Sequence, residues 1–148
     1  MAFRGSFDNN LDAKNRLTIP AKLRNLLADG VVVALQRDAR RCLAIWSTDD
    51  FNEHAERMLE GRHPLSADYV RLERFLNAYS SEVELDAAGR VMLPAKLLEQ
   101  AGLEREVAVI GVGNRLEVWD REAWRAASAD LLDTVQDIRP GSPDGHTA

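Results

Sequence analysis

The chain has 148 residues, 45% hydrophobic and 29% charged, which suits one compact domain or two small halves sharing a core. No apolar run approaches the roughly 20 residues of a membrane span, Met1-Ala2-Phe3-Arg4-Gly5 has no apolar signal core, and a single cysteine, Cys42, excludes an internal disulfide, so a cytoplasmic protein with no membrane partner is expected. A net charge of −5 argues against a uniformly basic nucleic-acid binder, yet residues 1–41 hold eight Lys/Arg against four Asp/Glu, so one basic face on an acidic molecule stays open.

In chain order, residues 5–11 alternate loosely and suit a short strand. Asp12 to Asn15 reads as a tight turn, since an Asp carboxylate can bond the backbone two residues on. Asn15 stands where positive φ is tolerated. Arg16 to Ile19 returns as a strand, with Leu17 and Ile19 on one face. Pro20 suits the first position of a helix over Ala21 to Ala28, and Gly30 suits its left-handed cap. Val31 to Leu35 and Leu43 to Trp46 are strands, with a polar connection from Arg37 to Arg41. Cys42 flanks the second of these strands and reads as a small buried hydrophobe. Ser47 to Asp50 offers N-caps for a helix carrying Phe51, Ala55, Met58 and Leu59. Gly61 to Pro64 breaks the chain, and Ser66 to Ala78 is helical.

The order then repeats: strand Glu82 to Leu85, turn Asp86 to Gly89, strand Arg90 to Leu93, and a helix from Pro94 to Gly102. Strands Glu106 to Ile110 and Arg115 to Trp119 follow, flanking a Gly-rich loop, and a helix spans Asp120 to Leu132. The segment from Pro140 to Ala148 has the Gly/Pro/Ser composition of a disordered tail.

The repeat is literal. Leu11-Asp12-Ala13-Lys14-Asn15-Arg16 through Pro20-Ala21-Lys22-Leu23 recurs as Leu85-Asp86-Ala87-Ala88-Gly89-Arg90 through Pro94-Ala95-Lys96-Leu97 at a constant offset of 74. Leu43, Trp46 and Phe51 match Leu116, Trp119 and Trp124 at an offset of 73, which places a deletion in an intervening loop. Two equivalent units must be read as halves of one object. The halves are expected at residues 1–60 and 80–136, each with its following helix, joined by a linking helix at 61–79 and followed by a tail at 137–148. Each hairpin alone is too short to bury a core, so strands from the two copies should combine.

The turns carry the chemistry. Lys14 and Arg16, two residues apart, share a side of the hairpin. With Arg4 and Arg24 they can form a cationic surface that brackets phosphates or bonds the acceptor edge of guanine. The competing use of Arg16 and Arg90 is an ion pair with Asp12 and Asp86 in their own turns. The two uses are compatible, because an Asp can orient an Arg that also meets DNA.

At these residues the chain resembles the MraZ family of bacterial transcriptional regulators. The resemblance rests on Phe3-Arg4-Gly5, Asp12 to Pro20, Asp86 to Arg90, Ala101-Gly102-Leu103, Val109-Ile110-Gly111 and Glu117-Val118-Trp119-Asp120. It implies an α+β fold: a pseudo-twofold, β-barrel-like core from two swapped-hairpin modules of the AbrB/MazE kind, with helices around it. It also implies a homo-oligomeric ring, associated with the nucleoid. The ring would bind double-stranded DNA at repeated promoter boxes ahead of the division and cell-wall gene cluster. The family's basic hairpin positions fall on Lys14 and Arg16, with Arg4 expected nearby and Arg90 a weaker candidate. Asp12, Asn15, Pro20, Asp86, Gly89 and Pro94 are expected to shape the turns. Asn15 replaces the usual Gly of the first turn, and Ala88 stands where the first copy has Lys14, so the second hairpin should be the more structural one.

Catalysis is not expected. The three histidines, His54, His63 and His146, have no Cys or His at metal spacing, and no nucleophile elbow or phosphate loop is present. No cofactor, metal or small-molecule substrate is called for. The alternative function is a non-catalytic protein-interaction module, either antitoxin-like or a structural oligomer.

Overall fold

The computed structural model describes residues 2–38 and 41–141. In order, the elements are β1 (Ser6–Asn10), β2 (Arg16–Thr18), a 3-10 helix (Ala21–Leu27), β3 (Val31–Leu35), β4 (Cys42–Ser47), α1 (Thr48–Leu59) and α2 (Ala67–Ala78). Then come β5 (Ser80–Val83), β6 (Arg90–Met92), α3 (Ala95–Ala101), β7 (Glu106–Gly111), β8 (Leu116–Asp120) and α4 (Arg121–Thr134). The end of the expected tail, residues 142–148, and residues 39–40 of the polar connection lie outside the described residues.

Strands of the two halves pair with each other. The larger sheet has six antiparallel strands in the order β1-β7-β8-β4-β3-β5. Thus β1 of the first half lies on β7 of the second, and β5 of the second lies on β3 of the first. The remaining strands, β2 and β6, form a separate two-stranded ribbon. The strands therefore divide between a sheet and a ribbon, and no single closed barrel forms. Within each repeat the two strands flanking the turn do not extend a common ladder, because each finds its partner in the other copy.

Alternation decides the layers. Val31, Val33, Leu43, Ile45, Val107, Val109, Leu116 and Val118 face one side of the sheet and are buried together with Leu17, Ile19, Val91 and Leu93 from the ribbon segments. Val32, Ala34, Ala44 and Trp46 face the other side and are covered by Phe51 of α1. His54 of the same helix stacks on Trp46 at 4.5 Å between ring centroids. Cys42 is fully buried, and burial pushes its thiol well above the usual range, in keeping with an inert packing role. The outer face holds one buried carboxylate, Glu117, which accepts bonds from Gln36, Arg115 and Trp119. Such a group is tolerated inside because both of its oxygens accept hydrogen bonds and Arg115 pairs with its charge.

Helix starts follow the sequence signals: Ser47, Ser66 and Asp120 cap α1, α2 and α4 through side-chain bonds to Asp50, Tyr69 and Ala123. Three details differ from expectation. Pro20 and Pro94 occupy the position before the first helical residue, with extended ψ of 137° and 134°. The helix after Pro20 is 3-10, with the Leu23 N–H donating to the Pro20 carbonyl. Gly30 does not cap it. Its φ of 136° instead brings the chain against Thr48, where a Cβ would lie 2.5 Å from the hydroxyl. The left-handed cap occurs only in the second half, at Gly102 with φ 67°.

Leu17 and Val91 face each other across the ribbon and are fully buried. Leu17→Ala is expected to destabilise the protein by about 2–5 kcal/mol. Urea unfolding followed by tryptophan fluorescence will measure this.

Candidate nucleic-acid interface

The two repeated phrases build one object. In the first turn the Asn15 N–H donates to the Asp12 carbonyl at 3.0 Å, and the Asp12 N–H donates to the Arg16 carbonyl at 3.1 Å. In the second, Gly89 and Asp86 do the same at 2.9 Å each. The turns then lock together: Ile19 N–H donates to the Gly89 carbonyl, and Leu93 N–H donates to the Asn15 carbonyl, both at 2.9 Å. Every one of these bonds has its counterpart 74 residues along. The left-handed turn residues, Asn15 at φ 61° and Gly89 at φ 77°, are the ones expected from the sequence.

The aspartates organise the arginines. Asp12 Oδ1 accepts the backbone N–H groups of Lys14 and Arg16 at 2.9 and 2.8 Å, and its Oδ2 accepts Arg16 Nε at 2.7 Å. Asp86 repeats this with Ala88, Arg90 and Arg90 Nε at 2.9, 2.8 and 2.8 Å. The backbone bond from Arg16 is the main cause that holds Asp12 below the ordinary carboxylate range. The Arg16 guanidinium and the Lys14 N–H add to it, against some desolvation. Arg90 does the same for Asp86. Both arginines spend only Nε in this way, and their Nη groups make no hydrogen bond among the described residues.

Register places these groups on one face. Arg16 lies opposite Met92, and Thr18 lies opposite Arg90. Alternation sends Leu17 and Val91 inward, so Arg16, Thr18, Arg90 and Met92 share the outer side of the ribbon. The arginines are diagonal neighbours, about 7–8 Å apart at the backbone. Lys14 is exposed at the tip of the first turn. One ribbon thus carries positive charge contributed by both halves.

Arg4 is not brought to this face. It is exposed beside Gly111, at the opposite end of β1 from the turn. Eight residues separate it from Asp12, and extended chain of that length spans about 27 Å. Sequence reasoning also missed the position of Arg24, grouped there with Arg4, Lys14 and Arg16. In the structure its Nε donates to the Ile19 carbonyl at 2.9 Å, and its guanidinium lies across Gly89 of the second turn. A Cβ on Gly89 would fall 2.1 Å from Arg24 Nε. Gly89 therefore answers two demands, positive φ and close approach, whereas Asn15 meets only the first. No local sequence signal announces this, since the contact spans the halves. Among the described residues, no group of three or more His, Cys, Asp or Glu side chains could hold a metal ion, and no helix is long and apolar enough to cross a membrane.

Because the folded state holds Asp12 and Asp86 below their ordinary values, it favours their ionised forms. The stabilisation they give the turns is complete above the ordinary carboxylate value and is lost as pH falls through the lowered ones. Carboxyl carbon NMR titration should show these two groups protonating at lower pH than an ordinary aspartate. The amide signals of Arg16 and Arg90 should shift together with them.

Comparison with known proteins identifies the family. The chain matches the family model described as "MraZ protein, putative antitoxin-like" over residues 2–71 and 75–136. It is similar to Transcriptional regulator MraZ of Micrococcus luteus, at 42% identity over 147 residues covering 94% of this chain and 98% of the relative. The protein of the same name from Nocardioides sp. is 43% identical over 131 residues, covering 87% and 88%. That of Mycoplasmoides gallisepticum is 34% identical over 146 residues, covering 97% and 99%. With both repeats matched and the relatives aligned nearly end to end, the chain belongs to the MraZ family.

Proposed function

We propose that this protein is a transcriptional regulator that binds double-stranded DNA through the β2–β6 ribbon. The observation that carries the reading is the pair of arginines on one exposed face, each oriented by its own aspartate with its Nη edge free. A guanidinium held in this manner loses little freedom on meeting a phosphate or the acceptor edge of guanine. Lys14 adds charge at the tip, and Arg16 is the central contact. The halves, residues 1–60 and 80–136, act as one reading unit built on a pair of swapped hairpins. The names of the relatives support a regulatory role.

The finer reading follows the family. The targets are repeated promoter boxes ahead of the division and cell-wall gene cluster, and the binding species is a homo-oligomeric ring in the cytoplasm, associated with the nucleoid. One ribbon on a chain of net charge −5 has weak non-specific attraction for DNA. Several linked ribbons raise the effective concentration when their spacing matches the boxes. The end of α4 and the turn after it support assembly: Leu131, Leu132, Val135 and Ile138 are all at least 49% exposed, a cluster that favours contact with another chain. Arg4, away from the ribbon in its own chain, then serves DNA only if a neighbouring copy brings it near.

Arg16→Ala should abolish specific binding to a duplex from the upstream region of the protein's own gene cluster while leaving the oligomer unchanged. Fluorescence anisotropy and gel filtration on the same sample will check this. Unchanged affinity would overturn the role of Arg16. Absence of any footprint on that region at low salt would favour the protein-interaction reading. Leu132→Ser combined with Ile138→Ser should shift the sedimentation coefficient toward smaller species.

A further inference from the structure

The two hairpins look unequal in charge, since Ala88 of the second stands where the first has Lys14. Position 24 removes the inequality. Its counterpart 74 residues along is Leu98, which is buried and lines the same cleft as Asp12 and Asn15 of the first turn. At the equivalent place on the second turn the chain has Arg24, whose guanidinium crosses Gly89. The first turn thus combines Asp12, Lys14 and Arg16 with an apolar Leu98. The second combines Asp86, Arg90 and Arg24 with a neutral Ala88. Each turn itself then holds one carboxylate and two cations, and Glu104 and Arg105, which also line the cleft beside the first turn, add a pair of opposite charges there.

We infer that Arg24 supplies the second hairpin with the phosphate-contacting cation that Lys14 supplies to the first, so the DNA interface of one chain comprises Lys14, Arg16, Arg24 and Arg90. This rests on the ribbon being the DNA-binding face. Arg24 makes no ion pair among the described residues, and its one hydrogen bond uses Nε alone. That bond comes from the chain segment that also clamps the second turn, because Ile19 donates to the Gly89 carbonyl and accepts from Arg24. The cation is therefore fixed to the turn by the backbone that positions the turn. Arg24 is only partly buried, and its Nη groups make no hydrogen bond among the described residues. The ligand class is the sugar–phosphate backbone, since a short-tethered guanidinium beside the turn tip is suited to positioning contacts.

The test is the salt dependence of binding of full-length protein to the same upstream duplex. Each neutralised phosphate contributes about −0.9 to the slope of log Kobs against log salt. Arg24→Gln should make the slope shallower by about 0.9 for every subunit on the DNA, and adding Ala88→Lys to that variant should restore it. A slope and affinity equal to wild type in Arg24→Gln, with binding still lost in Arg16→Ala, would overturn the inference and leave the ribbon reading intact. Wild-type behaviour in both variants would instead remove the ribbon reading itself. Should Arg24→Gln be unstable, wild-type protein can be treated with phenylglyoxal with and without the duplex. Protection of Arg24 by DNA supports the assignment, and equal modification in both samples overturns it.

Discussion

The backbone lock between the two turns is the constraint on which the rest depends. Two hydrogen bonds, Ile19 to Gly89 and Leu93 to Asn15, fix the register in which Leu17 meets Val91. Because side chains alternate with a period of two, that register also decides which residues face outward. A slip of one residue would bury Arg16 and Arg90 and expose the apolar pair. The hydrophobic demand of Leu17 and Val91 therefore enforces the placement of the charged groups, and core and surface are specified by the same three-residue strands.

Local features were largely legible in the sequence. The strands of the second copy and the Ser47 cap announced themselves, as did the left-handed Asn15 and Gly89, because their causes lie within a few residues. The Asp–Arg pairs were also legible as one of two uses of those arginines, and the structure shows those pairs. That strands of the two copies combine was expected too; which strands and side chains meet across the halves was not legible. The pairing of β1 with β7, the separation of the ribbon from the sheet, and the path of Arg24 over Gly89 all join residues far apart in the chain. The displacement of Arg4 from the ribbon has the same origin: its place is set by Gly111 of the other half. The tight 3-10 form of the helix after Pro20 was missed for a subtler reason. It carries the same leading Pro-Ala-Lys-Leu as its α-helical counterpart, and the two diverge from Arg24 and Leu98 onward.

Duplication followed by divergence explains this pattern in physical terms. Backbone bonds and buried apolar contacts at the junction have equal counterparts, since a change on one side would strain both. Charged side chains at the rim are under no such mutual constraint, so a cation can arise from a different element on each side while the local balance persists. Gly89 is where the two kinds of demand meet: it must turn the chain and leave room for a guanidinium from the other half.

The pairing of β1 with β7 also bears on synthesis. Ser6 finds its partner in Ile110, and Asn10 finds Glu106, so the first strand made waits for nearly the whole polypeptide before it can join the sheet. The ribbon likewise needs Arg90 to Met92. Contacts of such long sequence separation form late, because the loop they close must first be ordered. A chain that stops short of Arg90 on the ribosome holds Arg16 without the strand opposite it, so the ribbon exists only once both repeats have been made.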